Sequence, residues 1–136
     1  MKETLAFHIM ALYRDFLAYT TGELKALGLS FGQFPLILYV GKHPGCAQAD
    51  LTKDLHLDWG YSQRAIAKLV SAGFVQKQHN GQCNCLTLTE TGNHAFQVCH
   101  SVFSEWDRQK TAGLTPDDTQ TLLTLLGQIP VQRKES

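Results

Sequence analysis

The stretch that most constrains this chain runs from Asp58 to Gly73, DWGYSQRAIAKLVSAG. At about 100° per residue, Ser62, Ala65, Ile66 and Leu69 gather on one side of a helix, while Gly60, Gln63, Arg64, Ala67 and Ser71 fall on the other. Asp58 suits the N-cap and Gly73 the stop. One face must be buried, so neighbouring segments have to supply a core. The other face is small, polar and basic.

Those neighbours are legible. Gln48 to Leu55 reads as a short helix with Ala49, Leu51 and Leu55 on its buried side, and His56-Leu57 as a tight turn before Asp58. Two short helices joined by a few residues form a helix-turn-helix signal. After Gly73, Phe74 to Gln78 reads as a strand, His79 to Gln82 as a turn, and Cys83 to Thr89 as a returning strand in which Cys85 and Thr87 alternate with Leu86 and Leu88. That hairpin has the position of the wing in a winged helix.

Upstream, Leu5, Ile9, Leu12, Phe16, Leu17, Leu24 and Leu27 give Lys2 to about Ala26 helical periodicity. Phe7, Tyr13, Phe16 and Tyr19 spread over more than one face, so a partner subunit is expected against the second. Gly28 stops this helix. Ser30 with Gln33 forms a capping-box pattern for a second helix, Phe31 to Lys42, in which Pro35 is a local misfit in the second turn and His43-Pro44-Gly45 the end. Downstream, Thr89-Glu90-Thr91-Gly92 begins a helix reaching about Lys110, and Thr115-Pro116-Asp117-Asp118 starts a last one, apolar through Leu122, Leu123, Leu125, Leu126 and Ile129. The fold class expected is mainly α with a small β-hairpin wing: a winged helix-turn-helix lobe over residues 30–92, enclosed by dimerisation helices over 1–29 and 93–136, in one domain.

The formal net charge is zero, so attraction to nucleic acid has to come from local charge. From Lys53 to Lys77 there are four Lys or Arg against two Asp. The small outward face of the Asp58–Gly73 helix suits the major groove, with Arg64 placed for a guanine edge and Gln63 for adenine. Tyr61 and Lys68 lie on the flanks for phosphate or sugar, Ser62 or the helix N-terminus for further phosphate contact, and Lys53 and Lys77 on either side. No apolar run approaches the roughly 20 residues of a membrane span and no signal-peptide pattern opens the chain, so no membrane partner and a cytoplasmic location are expected.

The order of a long helix, LSFGQFPLILYVGKHPG, CAQADLTKDLHLDWGYSQRAIAKLVSAGFVQK and LTLTETG resembles the MarR (multiple antibiotic resistance regulator) family of winged helix-turn-helix transcription factors over nearly the whole chain. Gln33, Pro44-Gly45 and the spacing from Asp58 to Gly73-Phe74-Val75 carry the likeness. The resemblance implies a homodimer on a pseudo-palindromic double-stranded DNA operator, acting as a repressor released by a small-molecule effector, a metal or an oxidant. It also implies that Gly60, Tyr61, Gln63 and Arg64 face the major groove. Trp59 departs from the polar or basic residue usual there. The hairpin departs further: HNGQCNC replaces the Asp-x-Arg motif whose arginine reaches the minor groove, and no arginine occurs between Arg64 and Arg108. Lys77, His79 and Gln82 are the available substitutes.

Cys83-Asn84-Cys85 reads first as structural or incidental thiols, because neighbours at i and i+2 on an extended strand lie poorly for an unstrained mutual disulfide; Cys83 and Cys85 as redox candidates, and then metal binding, are the alternatives. Two thiols on one strand fall short of a closed zinc site, and the spacing of His94, Cys99 and His100 is wrong for chelation on a helix face, so no metal site is assigned. An effector cleft between dimerisation helices and lobe would draw on His8, Tyr13, Phe16, Tyr39 and His43. There is no glycine-rich phosphate loop, nucleophile elbow or carboxylate pair, so neither catalytic residues nor a cofactor are expected. Two rivals to the repressor remain: a winged-helix dimer of little DNA affinity that acts through protein contacts, and a thiol or metal sensor of the same fold.

Overall fold

The computed structural model describes residues 3–81 and 83–132. The elements are α1 (Leu5–Lys25), a 3-10 turn (Phe31–Gln33), α2 (Phe34–Lys42), β1 (Cys46–Ala47), α3 (Gln48–Asp54), α4 (Trp59–Ser71), β2 (Val75–Asn80), β3 (Cys83–Leu88), α5 (Glu90–Lys110) and α6 (Pro116–Gly127). The three strands form an antiparallel sheet in the order β1-β3-β2. This is the mainly helical winged fold expected, with a third strand that the sequence reading missed.

The expected single helix from Phe31 to Lys42 is divided. Phe31–Gln33 is a 3-10 turn, and α2 begins at Phe34 with Pro35 in its first turn. No α-helical hydrogen bond is then asked of the proline nitrogen, so the misfit disappears. The Gln33 half of the capping box forms, with the Ser30 N–H donating to Gln33 Oε1 at 2.9 Å. The hairpin also differs: its strands run on to Asn80 and resume at Cys83, leaving a two-residue connection in place of the four-residue turn expected.

One core joins the elements around α4. Leu24 of α1, Leu36, Ile37 and Val40 of α2, Leu51 of α3, Ile66 and Leu69 of α4, Val75 and Leu86 of the sheet, and Ala95, Cys99 and Val102 of α5 are all buried. Two glycines permit its closest approaches. A methyl group on Gly41 would overlap the ring of Phe96, and one on Gly92 would overlap the carbonyl of Phe74, just before β2. In α3 the expected Ala49 points outward, and Gln48 and Thr52 turn inward beside Leu51.

The terminal helices are joined to this core on one side. Phe16 stacks on Phe103 at 5.7 Å and meets Trp106 edge-on at 5.2 Å. Trp106 Nε1–H and Lys110 Nζ donate to the Asp15 carboxylate at 2.9 and 2.8 Å, which holds that carboxyl below its usual range. α6 is different, because none of its residues is buried. Leu122, Leu123, Leu125, Leu126 and Ile129 are between 38% and 55% exposed. Leu5, Ile9, Met10, Leu12 and Tyr13 of α1 are likewise exposed. No helix of the described residues is long and apolar enough to cross a membrane.

Candidate nucleic-acid interface

The core holds α4 by one face. Ile66 and Leu69 are fully buried, and the Asp58 side chain caps the helix by accepting from the Tyr61 N–H at 3.1 Å. The turn from α3 is tight: His56 has a positive φ of 55°, and the Leu57 N–H returns to the Thr52 carbonyl at 2.9 Å. Left-handed backbone at a non-glycine residue is uncommon, so α3 and α4 are joined by a defined turn.

Ser62 does not lie on the reading face. Its side chain is fully buried, 2.6 Å from Thr52 Oγ1, which itself donates to the Gln48 carbonyl at 2.8 Å. With the Thr52 proton committed there, Ser62 is the donor, and the pair pins α4 to α3. The helical projection had already placed Ser62 among the inward residues, and its hydroxyl finds a buried partner as a buried polar group must. Thr52 and Gln48 were missed, because a threonine and a glutamine in a short helix look like surface residues.

Outward, Trp59, Tyr61, Gln63, Arg64, Ala67 and Lys68 are exposed, with Gly60 half-buried. A methyl group at Gly60 would sit 3.2 Å from Arg64 Nη1 and 3.3 Å from Asp58 Oδ2, so the bare glycine leaves room for the guanidinium to lie along the start of the helix. Between α4 and the 3-10 turn is an open cleft of about 200 Å³ lined by Ser30, Gly32, Gln33, Tyr61, Arg64 and Lys68, with no acidic residue in its wall. The ion pairs among the described residues are Arg108–Glu105 and Lys110–Asp15. None of Arg64, Lys68, Lys53 and Lys77 takes part in these ion pairs, although the Asp58 carboxylate lies near Arg64 across Gly60, so positive charge remains available to phosphate.

The hairpin presents less. Lys77 and His79 are exposed on β2, opposite Leu86 and Asn84 of β3. His79 Nδ1 lies 2.9 Å from Asn84 Oδ1, which fixes the orientation of the ring. Gln82 lies outside the described residues. Cys83 and Cys85 follow on β3 with their sulfurs 3.2 Å apart. Among the described residues no group of three or more His, Cys, Asp or Glu is arranged to hold a metal.

The five residues suggested for an effector cleft separate into different surroundings. Phe16 belongs to the aromatic cluster with Phe31, Phe103 and Trp106. Tyr39 packs on His43 at 4.5 Å and donates to Asp54 at 2.6 Å, a bond that ties α2 to the end of α3 and pushes the phenol up to about 12. His8 and Tyr13 are exposed on α1. A second cavity, of about 260 Å³, is lined instead by Thr4, Ala6, Phe7, Met10, Ala11 and Arg14.

Comparison with known proteins follows the same outline. The sequence model described as the MarR family matches residues 27–82. The HTH-type transcriptional regulator BilQ of Clostridium symbiosum (strain WAL-14163) is 33% identical over 129 residues, covering 93% of this chain and 90% of the relative. The solved MarR transcriptional regulator from Methanosarcina mazei Go1 has a TM-score of 0.78 at 28% identity, covering 93% of this chain and 87% of that one. A MarR family regulator from Listeria monocytogenes, solved in complex with 26mer DNA, has a TM-score of 0.75 at 23% identity over 92% of this chain and 85% of that one.

Proposed function

The chain belongs to the MarR family of transcriptional regulators, and on that premise we propose that it is a ligand-responsive repressor binding a pseudo-palindromic operator as a homodimer. One observation carries the reading: α4 is clamped by its inner face while Tyr61, Gln63, Arg64 and Lys68 stand exposed, and neither cation forms an ion pair among the described residues. In this reading Arg64 and Gln63 address base edges, Tyr61 and Lys68 address the backbone, and Lys53, Lys77 and His79 add phosphate contacts. Gly60 admits the close approach. The two recognition helices of a dimer would enter successive major grooves about 34–36 Å apart.

Dimerisation is assigned to residues 1–29 and 93–136, and DNA binding to 30–92. The support is the apolar surface of α6 and of the outer face of α1, which the chain's own core leaves open. An effector that alters the spacing of the two lobes would relieve repression, as the family resemblance implies. A cytoplasmic location follows from the role.

The test is sequence-selective binding to the promoter region beside its own gene, followed by anisotropy at low salt. Binding that competitor DNA does not remove, and that Arg64→Ala weakens, supports the reading. Without any selective complex, the rival of a winged-helix dimer acting through protein contacts takes its place. That rival draws on the zero net charge and the wing without arginine.

A further inference from the structure

The four cysteines occupy unlike surroundings. Cys99 is fully buried, and burial pushes its thiol up to about 11; burial likewise raises Cys46. A thiol that holds its proton is a poor nucleophile, so neither is suited to oxidation. Cys83 and Cys85 are only half-buried, and stand two residues apart on one face of β3 with their sulfurs 3.2 Å apart. Two thiolates on a tetrahedral zinc, with bonds of about 2.3 Å, are held roughly 3.8 Å apart. The pair is already closer than that, and the described residues provide no metal-binding group around it.

We propose that Cys83 and Cys85 form a reversible dithiol–disulfide site at the hairpin, oxidised by peroxide, and that its closure pinches β3 at Asn84. Cys85 loses its proton to solvent and its thiolate attacks one peroxide oxygen. The O–O bond breaks, the departing hydroxide takes up a proton to become water, and the sulfur becomes a sulfenic acid. The sulfur of Cys83 then attacks that sulfur, the S–O bond breaks, and a second water leaves with the Cys83 proton. Two thiols are oxidised and one peroxide is reduced to two waters. The hydrogen bond between the two sulfurs raises the Cys83 pKa, which makes Cys83 the poorer nucleophile for the first step; it attacks second because the sulfenic acid then forms within contact distance of its sulfur.

The mechanical consequence follows from strand geometry. Alternate Cα atoms on a strand lie about 6.6 Å apart, against an upper limit of roughly 6.8 Å for a disulfide. Closing the bond to the usual mid-range draws these Cα atoms together and buckles the residue between them. That residue is Asn84, the cross-strand partner of His79 and the acceptor placed beside its Nδ1. Cys85 also lies between Gln78 of β2 and Ala47 of β1, so the distortion reaches both ladders. Bridges under such tension are readily reduced, which makes the change reversible.

The test uses the reduced full-length protein, hydrogen peroxide as the probe, and no DNA, so its outcome is independent of the operator reading. Wild type should lose two of its thiols and two hydrogens in mass, remain a single chain on a non-reducing denaturing gel, and recover with dithiothreitol. Peptide fragmentation should place the link between Cys83 and Cys85, and the amide resonances of His79 and Asn84 should move most. Cys85→Ser should not lose the two hydrogens. Because that substitution can disturb the hairpin, Cys46→Ala/Cys99→Ala, which keeps only the pair, must still lose them. Survival of all thiols, a link through Cys46, Cys99 or a second chain, or failure of the double variant overturns the site. A disulfide that leaves the His79 and Asn84 resonances unmoved overturns the pinch.

Discussion

α4, the helix proposed to read DNA, and the hairpin beside it are unequally equipped. α4 has a side-chain cap, two fully buried aliphatic anchors, a buried Ser62–Thr52 hydrogen bond and an outward face carrying two cations that form no ion pair among the described residues. The hairpin is anchored at its root by Val75 and Leu86, but from Gln76 to His79 it is exposed, and it offers one lysine and one histidine. Anchoring contacts and positive charge are thus concentrated in one element. Sequence discrimination should then depend on α4, while the hairpin contributes modest, sequence-blind attraction and, with its dithiol, a place where shape can change.

The largest test of that contrast removes the clamp. Ile66→Ala should cost about 2–5 kcal/mol in urea unfolding, as for other fully buried aliphatic truncations, and lower DNA binding with it. A cost within about 0.5 kcal/mol, the range for exposed substitutions, would show that the core does not hold α4. Next in size is the root of the hairpin: Gly92→Ala drives a methyl group into the Phe74 carbonyl and should cost about 1–3 kcal/mol. A neutral result there would mean that α5 does not set the position of β2.

Ser62→Ala should lower stability by about 1 kcal/mol, because Thr52 keeps its bond to the Gln48 carbonyl and only one partner is lost. At equal folded fraction its DNA affinity should match wild type, whereas a large specific loss would return Ser62 to the interface. The smallest effect is expected from Lys77→Ala: a few-fold weakening, uniform across sequences, with the salt slope reduced by about one. If that substitution instead relaxes sequence preference, the hairpin reads bases and the contrast fails.

Much of this arrangement was legible in the sequence. α4 was recovered with its cap and its inward and outward faces because a 13-residue helix gives the 3.6-residue period room to declare itself. β1 was not, since two residues have no period and are defined only by pairing with Leu86 and Cys85. Pro35 looked like a defect until the turn before it separated from α2. α3 was placed correctly but rotated, because in seven residues an alanine is a weaker guide to the core than Thr52, whose inward turn depends on a partner ten positions ahead. The Cys83–Cys85 contact depends on side-chain orientation, which a Cys-x-Cys spacing does not specify.

Arg64 stands at the centre of the account, and its removal is the most direct measurement. Operator affinity of wild type and Arg64→Ala should be compared at one salt concentration, on the promoter fragment and on unrelated DNA of the same length. Loss of a bidentate base contact predicts about 1–3 kcal/mol on the operator, roughly 5- to 150-fold, with much less change on unrelated DNA. Equal weakening on both fragments, or none on either, would contradict the assignment of α4 as the element that reads sequence.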